Sequence, residues 1–302
     1  MRLDQCLAEV FPDYSRSKLQ TWIKAGRVLV DGEIMKGREK LDGGEEIELD
    51  AEAERVIEYA PQEIPLDIIY EDDSLLIINK PAGLVVHPAV GNWDGTLVNA
   101  LLNHAPSLDT LPRAGIVHRI DKDTSGLLMV AKTLQAHNSL VEQLQERSIH
   151  REYLALVKGW MTAGGTVDEP IGRHPVDRKR NAVRRGGKEA ITHYRLEQRF
   201  KRHTLIRVKL ETGRTHQIRV HMSHINYPLV GDQVYGGRFQ MPADCNPALA
   251  DALRNFKRQA LHAAKLGLEH PETGDYCEWE QPIPEDMQNL LKLLAENELD
   301  QA

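Results

Sequence analysis

Two stretches of the chain gather the side chains that could carry out chemistry. In HRIDKDTSGLLMVAK, residues 118–132, His118, Arg119, Asp121, Lys122 and Asp123 occupy five of six positions ahead of an apolar run. A loop that feeds a buried strand holds its side chains on a rigid support, so an aspartate there can be kept ionised and aimed at a reactant. The same residues also suit a structural Arg–Asp pair, or a turn built by Asp123, Thr124, Ser125 and Gly126. In TGRTHQIRVHM, residues 212–222, Arg214 and Thr215 end a strand-like segment and Arg219 follows about one helical turn later. A guanidinium beside a carboxylate favours the ionised form and typically lowers the carboxyl pKa by roughly 1 to 3. Together the two stretches could supply one charged, oriented carboxylate for nucleophilic or acid–base work.

Asp121 and Asp123, two apart, could also act as an acid–base pair or as metal ligands beside His118. No further ligand cluster of recognisable spacing accompanies them, and both lie next to Lys or Arg, which suits ion pairing, so no metal is expected. His216 and His221 are five apart, whereas helical ligand pairs need three or four, and they are read as satisfied or exposed histidines. Tyr153, in REYLALVKG, alternates with its neighbours as a strand residue does, which leaves packing and catalysis both open. Cys6, Cys245 and Cys277 are far apart and are expected to be reduced.

Charge is unevenly spread over the 302 residues. The net charge is -7, yet residues 171–219 hold 15 Lys and Arg against 4 Asp and Glu. A basic face of this kind, with HPVDRKRNAVRRGGK at its centre, can capture an anionic polymer while the acidic remainder keeps the chain soluble. Mean hydropathy is -0.45. No apolar run reaches the roughly 18 to 20 residues that span a bilayer, and the N-terminus lacks the layout of a signal peptide. A cytoplasmic protein with no membrane contact is expected.

These residues need a scaffold. Residues 1–50 read as a small αβ unit: a helix in LDQCLAEVFP, a second in SKLQTWIKAG, and a hairpin turning at Asp31-Gly32. Residues 51–64 read as an acidic linker. Residues 65–302 read as a larger domain, with buried strands in LLIINK and LVVHP, a helix in GTLVNALLNH capped near Asp94 or Thr96, and a strand in GLLMVAK. The helix TLQAHNSLVEQLQER and the strand REYLALVKG follow. HTLIRVKLET alternates, so it predicts a half-buried strand with a basic outer face carrying Arg207 and Lys209. Two strands in ALHAAKLGLEHPETGDYCEWE and a terminal helix in PEDMQNLLKLLAE complete an α+β reading with a mixed, mainly antiparallel sheet.

In order, NKPAGLVVHP, HRIDKDTSGLLMVAK, REYLALVKG, TGRTHQIRVHM and NYPLVGDQVYGG resemble the motifs of the RluA-type pseudouridine synthases, and residues 1–50 resemble the S4 RNA-binding module. Ile120 stands where the motif usually has leucine. The resemblance implies a pseudouridine synthase fold and an isomerase acting on uridines of large-subunit ribosomal RNA, in a stem-loop, as free RNA or within a pre-ribosomal particle. It implies that Asp121 is the essential carboxylate, Tyr153 the tyrosine over the target base, Arg219 the partner of the aspartate and Arg119 the residue that helps displace the nucleotide. It requires no cofactor, and a monomer is expected. Arg214 joins the RNA-binding set, with Arg16, Lys18, Lys24 and Arg27 from the N-terminal unit, whose 8 basic and 11 acidic residues imply a modest contact. A non-catalytic RNA-binding assembly factor with the same modules is the alternative.

Overall fold

The computed structural model describes residues 1–11, 16–50, 59–88, 91–177, 180–242 and 245–299, with the backbone alone at 16–18 and 299. The chain divides into two compact units, Met1–Glu58 and Tyr59–Ala302. In the first, helices α1 (Leu3–Val10) and α2 (Arg16–Lys24) precede strands β1 (Val28–Val30), β2 (Glu33–Ile34) and β3 (Ile47–Leu49), which pair antiparallel in the order β2-β1-β3. Leu3, Leu7, Leu19, Trp22, Ile23, Val28 and Val30 form its core. Asp31 and Gly32 both take positive φ, 53° and 81°, as the expected hairpin turn demands.

The second unit is built on a nine-stranded sheet. Its elements, in chain order, are β4 (Ile68–Glu71), β5 (Leu75–Lys80), α3 (Leu97–His104), β6 (Ser125–Ala131), α4 (Leu134–Glu146), β7 (His150–Lys158), β8 (Gly165–Asp168), β9 (Ile171–Arg173), β10 (Asn181–Val183), β11 (Ile191–Phe200), β12 (His203–Leu210), α5 (Gln217–His224), α6 (Pro247–Asn255), β13 (Leu261–Glu269), β14 (Tyr276–Glu280) and α7 (Glu285–Leu299). The strand order is β4-β5-β6-β13-β7-β12-β11-β8, with β14 on β13, and β9 and β10 form a separate hairpin. Among the described residues only β6 and β13 run parallel, through His262 with Ser125 and Ala263 with Gly126. The architecture is the α+β arrangement read from the sequence.

Alternating side chains send this sheet into cores on both faces. On one face Ile78, Leu128, Tyr153, Ala155, Ile206 and Val208 pack with α3 and α5. On the other, Ile77, Leu127 and Met129 pack under α4, and Leu156 and Leu205 pack under α6 and α7. Two expectations are corrected here. On the outer face of β12 Lys209 is exposed as expected, but Arg207 is not a free charge: it pairs with Glu197 at 2.9 Å and Glu152 at 3.4 Å, carboxylates of the strands on either side. LVVHP is not a strand. Its Val85 and Val86 carbonyls instead accept the amides of Leu97 and Val98 at the start of α3, whose first-turn N–H groups lack intrahelical partners. Thr96 caps that helix in a capping box with Asn99.

Of the expected linker, residues 51–58 lie outside the described residues. Residues 59–64 lie on α3: Asn99 Nδ2 donates to the Ala60 carbonyl at 2.9 Å, and the Gln62 amide to the Asn99 carbonyl at 3.0 Å. Among the described residues no helix is long and apolar enough to cross a membrane.

Candidate active site

The loop carrying Asp121 leaves no slack. His118 accepts the Met129 amide through Nε2 at 3.1 Å, and burial, with the Arg151 charge adding to it, pushes this imidazole down to about 3. Below the loop lies Lys80, 0% exposed, whose ammonium donates to the carbonyls of Pro81, Leu84 and Lys122 at 2.7, 2.9 and 2.9 Å. Burial lowers its pKa to about 8 against the opposing pull of Asp123 and Asp121. The Thr124 amide donates back to the Asp121 carbonyl at 3.0 Å, and the buried Thr124 hydroxyl accepts from Gln259 at 3.1 Å. Gly126, at φ 113°, completes the anchor, since a Cβ there would stand 2.2 Å from the Ala263 carbonyl oxygen. The TSG of the motif is thus the point where β6 meets β13.

Arg219 comes from the first turn of α5. Its Nη1 donates to Asp121 Oδ2 at 2.9 Å, while Nε and Nη2 grip both oxygens of Asp232 at 2.7 and 3.0 Å. Asp232 is fully buried and also accepts the amides of Val234 and Tyr235. Burial works against both charges, but the mutual hydrogen bonds prevail: Arg219 is held above its ordinary pKa and Asp232 below its own. The ring of Tyr235 lies 5.0 Å beneath the guanidinium. Asp232 therefore fixes Arg219, which fixes one oxygen of Asp121.

The other oxygen, Oδ1, is 3.9 Å from His216 Nε2. His216 takes a left-handed backbone conformation (φ 61°) at the start of α5, an uncommon state for a non-glycine residue and one that often marks a functional site. Its Nδ1 is hydrogen-bonded to the Tyr235 hydroxyl at 2.8 Å, which also accepts the Asn181 amide at 2.9 Å. Burial lowers the His216 pKa, opposed by Asp121 and reinforced by Arg219. His221, the other histidine of this motif, is satisfied by Thr192 at 2.8 Å and the Glu169 carbonyl at 2.9 Å.

A cleft of about 570 Å³ opens over these groups, and Arg119, Asp121, Tyr153, Arg214, His216 and Arg219 all line it. Tyr153 stands on β7 across β13 from Asp121, paired with Ala263 and Val208; burial raises its pKa, with Arg151 opposing and Asp121 adding. Arg119 is exposed. Arg214 donates through Nε to the Glu189 carbonyl at 2.9 Å. Asp123 does not line the cleft, and its carbonyl accepts from Arg258 at 3.4 Å. Lys24 and Arg27 belong to the first unit, Lys24 exposed at the end of α2 and Arg27 3.8 Å from Asp50. The Arg16 and Lys18 side chains, like all of Arg178 and Lys179, lie outside the described residues. Among the described residues no cluster of three His, Cys, Asp or Glu is arranged to hold a metal, and the three cysteines are free.

Sequence reasoning missed Asp232, Lys80 and the place of His216. Asp232 and Lys80 lay within quoted motifs, but nothing in their spacing told which buried partner each would meet. A carboxylate with one oxygen tied to Arg219, in a cleft lined also by a buried tyrosine and an exposed arginine, suits nucleophilic or base chemistry on a polyanionic substrate.

Residues 74–224 match the family model described as RNA pseudouridylate synthase, and residues 1–47 match the S4 domain. The chain is 58% identical over 296 residues to the ribosomal large subunit pseudouridine synthase D of Pseudomonas aeruginosa, covering 98% of this chain and 92% of that one. The chain belongs to the RNA pseudouridylate synthase family. The enzyme of the same description from Escherichia coli K12 is 57% identical over 294 residues, 97% of this chain and 90% of its own length. Among solved structures, human RNA pseudouridylate synthase domain containing 1 shares 26% identity with a TM-score of 0.56, covering 73% of this chain and 84% of that one. Domain containing 4, at 24% identity and a TM-score of 0.60, shares the fold over 76% of this chain and 92% of its own. The pseudouridine synthase fold and the S4 module are therefore those expected from the motifs.

Proposed function

We propose that this pseudouridine synthase converts specific uridines of large-subunit ribosomal RNA to pseudouridine, in a stem-loop, and that Asp121 is its reacting carboxylate. The single observation that carries the assignment of Asp121 is its pair of unlike oxygens, one tied to Arg219 at 2.9 Å and one facing the cleft. The ribosomal substrate rests on the relatives at 57% and 58% identity, which are described as large subunit enzymes.

The reaction breaks the N1–C1′ bond, turns the uracil and joins C5 to C1′; C5 loses a proton and N1 carries one at the end. Atoms and electrons balance without cofactor, redox partner or water. The Asp121 carboxylate acts at the ribose, as a nucleophile at C1′ or as a base at C2′ that yields a glycal. Tyr153 packs on the base. Arg219 positions Asp121. Arg119 and Arg214 meet the RNA, and Arg119 helps take the nucleotide out of its stack, which a buried site requires. In the S4 unit Arg16, Lys18, Lys24 and Arg27 add a local contact that raises the effective concentration of RNA at the cleft. The protein works in the cytoplasm as a monomer, on free RNA or a pre-ribosomal particle.

Pseudouridine mapping of large-subunit RNA from a strain lacking the protein tests this. Loss of one or more modified positions, restored by the parent gene, is the expected result. An unchanged map would contradict the proposal and favour a non-catalytic assembly factor.

A further inference from the structure

Arg151 plays no part in the scheme above, yet its setting is unusual. It lies on β7 two residues before Tyr153, so both side chains leave the strand on the same face, with Cα atoms roughly 6.6 Å apart. The residue is 8% exposed, its Nε is buried with no hydrogen-bond partner, and among the described residues no carboxylate pairs with it. Buried charges are ordinarily paired, because desolvation without a counter-charge is costly.

The neighbouring arginines show the ordinary case. Arg219, buried like Arg151, is held by Asp121 and Asp232, and even the exposed Arg147 is paired, with Glu189 at 2.7 Å and Glu211 at 3.6 Å. Arg151 lines the same cleft as Asp121. Space for its guanidinium is made by Gly213, where a Cβ would stand 2.9 Å from Arg151 Nη1. Its charge is felt at both neighbours, opposing the rise at Tyr153 and adding to the fall at His118.

We propose that Arg151 is a binding site for a phosphodiester of the target strand, the phosphate next to the displaced uridine. A planar guanidinium matches two phosphate oxygens with two parallel N–H donors, and in a desolvated setting this bond is strong and directional. The missing counter-ion of the protein is then supplied by the RNA. Held at this point of β7, the phosphate fixes the nucleotide with its ribose toward Asp121 and its base along Tyr153. The inference rests on the RNA-modifying reading above and deepens it.

The test compares the parent with Arg151→Met, which keeps the length of the side chain, and Arg151→Lys, which keeps charge without the fork. Binding of large-subunit ribosomal RNA is followed over a salt series. Arg151→Met should bind about 10-fold or more weakly, with the log–log salt slope shallower by about 0.7, and Arg151→Lys should fall between. Inorganic phosphate, against chloride of equal ionic strength, should raise the thermal midpoint of the parent and not that of Arg151→Met. Without phosphate, Arg151→Met should melt no lower than the parent, since it removes an uncompensated charge. Affinity within twofold of the parent, an unchanged salt slope, or equal phosphate stabilisation of both proteins overturns the proposal. Should Arg151→Met fail to fold, Arg151→Lys and the phosphate response of the parent decide it alone. Pseudouridine formation by the parent is scored separately, so failure of the enzymatic reading is not confused with failure at Arg151.

Discussion

At Asp121 the two carboxylate oxygens meet different surroundings, Arg219 Nη1 at 2.9 Å on Oδ2 and the cleft, with His216 Nε2 at 3.9 Å, on Oδ1. The partner behind Arg219 is Asp232, so on the proposed scheme a change at Asp232 reaches the Asp121 carboxylate without touching the substrate. Asp232→Asn keeps the shape and removes the charge that fixes the guanidinium. It should lower kcat by about 100-fold, the scale of a misplacement near 1 Å, with KM for RNA little changed. Steady-state kinetics on RNA tritiated at C5 of uridine would show this, and an unaltered kcat would mean that Asp121 is held by other means. That Asp121, Arg219 and Tyr153 would meet at one cleft was legible in the sequence because a carboxylate, a guanidinium and an aromatic sat in long ordered motifs; their proposed roles are for the variants to test. Asp232 and His216 were not, since their roles depend on contacts that cross the chain: Asp232 lies 13 residues from Arg219, and the left-handed backbone of His216 has no signature in a T-H-Q triplet.

Among the elements, β6 bears the most weight. It is buried at every position from Ser125 to Ala131, pairs antiparallel with β5 and meets β13 in parallel at Gly126. Gly126→Ala would drive a methyl group to 2.2 Å from the Ala263 oxygen at a φ of 113°. The cost should be at least about 3 kcal/mol, a fall of roughly 6 to 12 °C in Tm, with pseudouridine formation lost in proportion as the Asp121 loop shifts. Thermal denaturation checks the first and tritium release the second. Strands and helices with strong periodicity, such as GLLMVAK and TLQAHNSLVEQLQER, were readable because burial of one face writes itself into the sequence. LVVHP misled because an apolar run records burial but not the partner of its backbone: this one caps α3 instead of joining a sheet. Arg207 misled for a related reason: the carboxylates that neutralise it come from the strands on either side, Glu197 on β11 10 residues away and Glu152 on β7 55 residues away, and strand register is not written in the spacing.

For the whole molecule, the basic stretch 171–219 contributes β9 to β12 and the first three residues of α5 in the second unit, while the acidic excess lies elsewhere in the chain. Binding should therefore depend steeply on salt despite the net charge of -7. Stability should depend on pH. Burial holds His203 and His262 neutral, each pushed down to about 4, whereas in the unfolded chain they take up protons near 6.5. Between these values the unfolded state binds more protons, so stability is full above about pH 6.5 and falls as pH drops toward 4, by about 1.4 kcal/mol per pH unit for each histidine. A thermal midpoint that stays flat from pH 6.5 to 4 would contradict this. The central claim, that a single carboxylate performs the isomerisation, is tested most directly by tritium release from C5-labelled large-subunit RNA with purified Asp121→Asn, beside Asp123→Asn and the parent. The account predicts no product from Asp121→Asn with RNA binding nearly intact, and a far smaller loss from Asp123→Asn. Undiminished pseudouridine formation by Asp121→Asn, or equal losses in both variants, would contradict it.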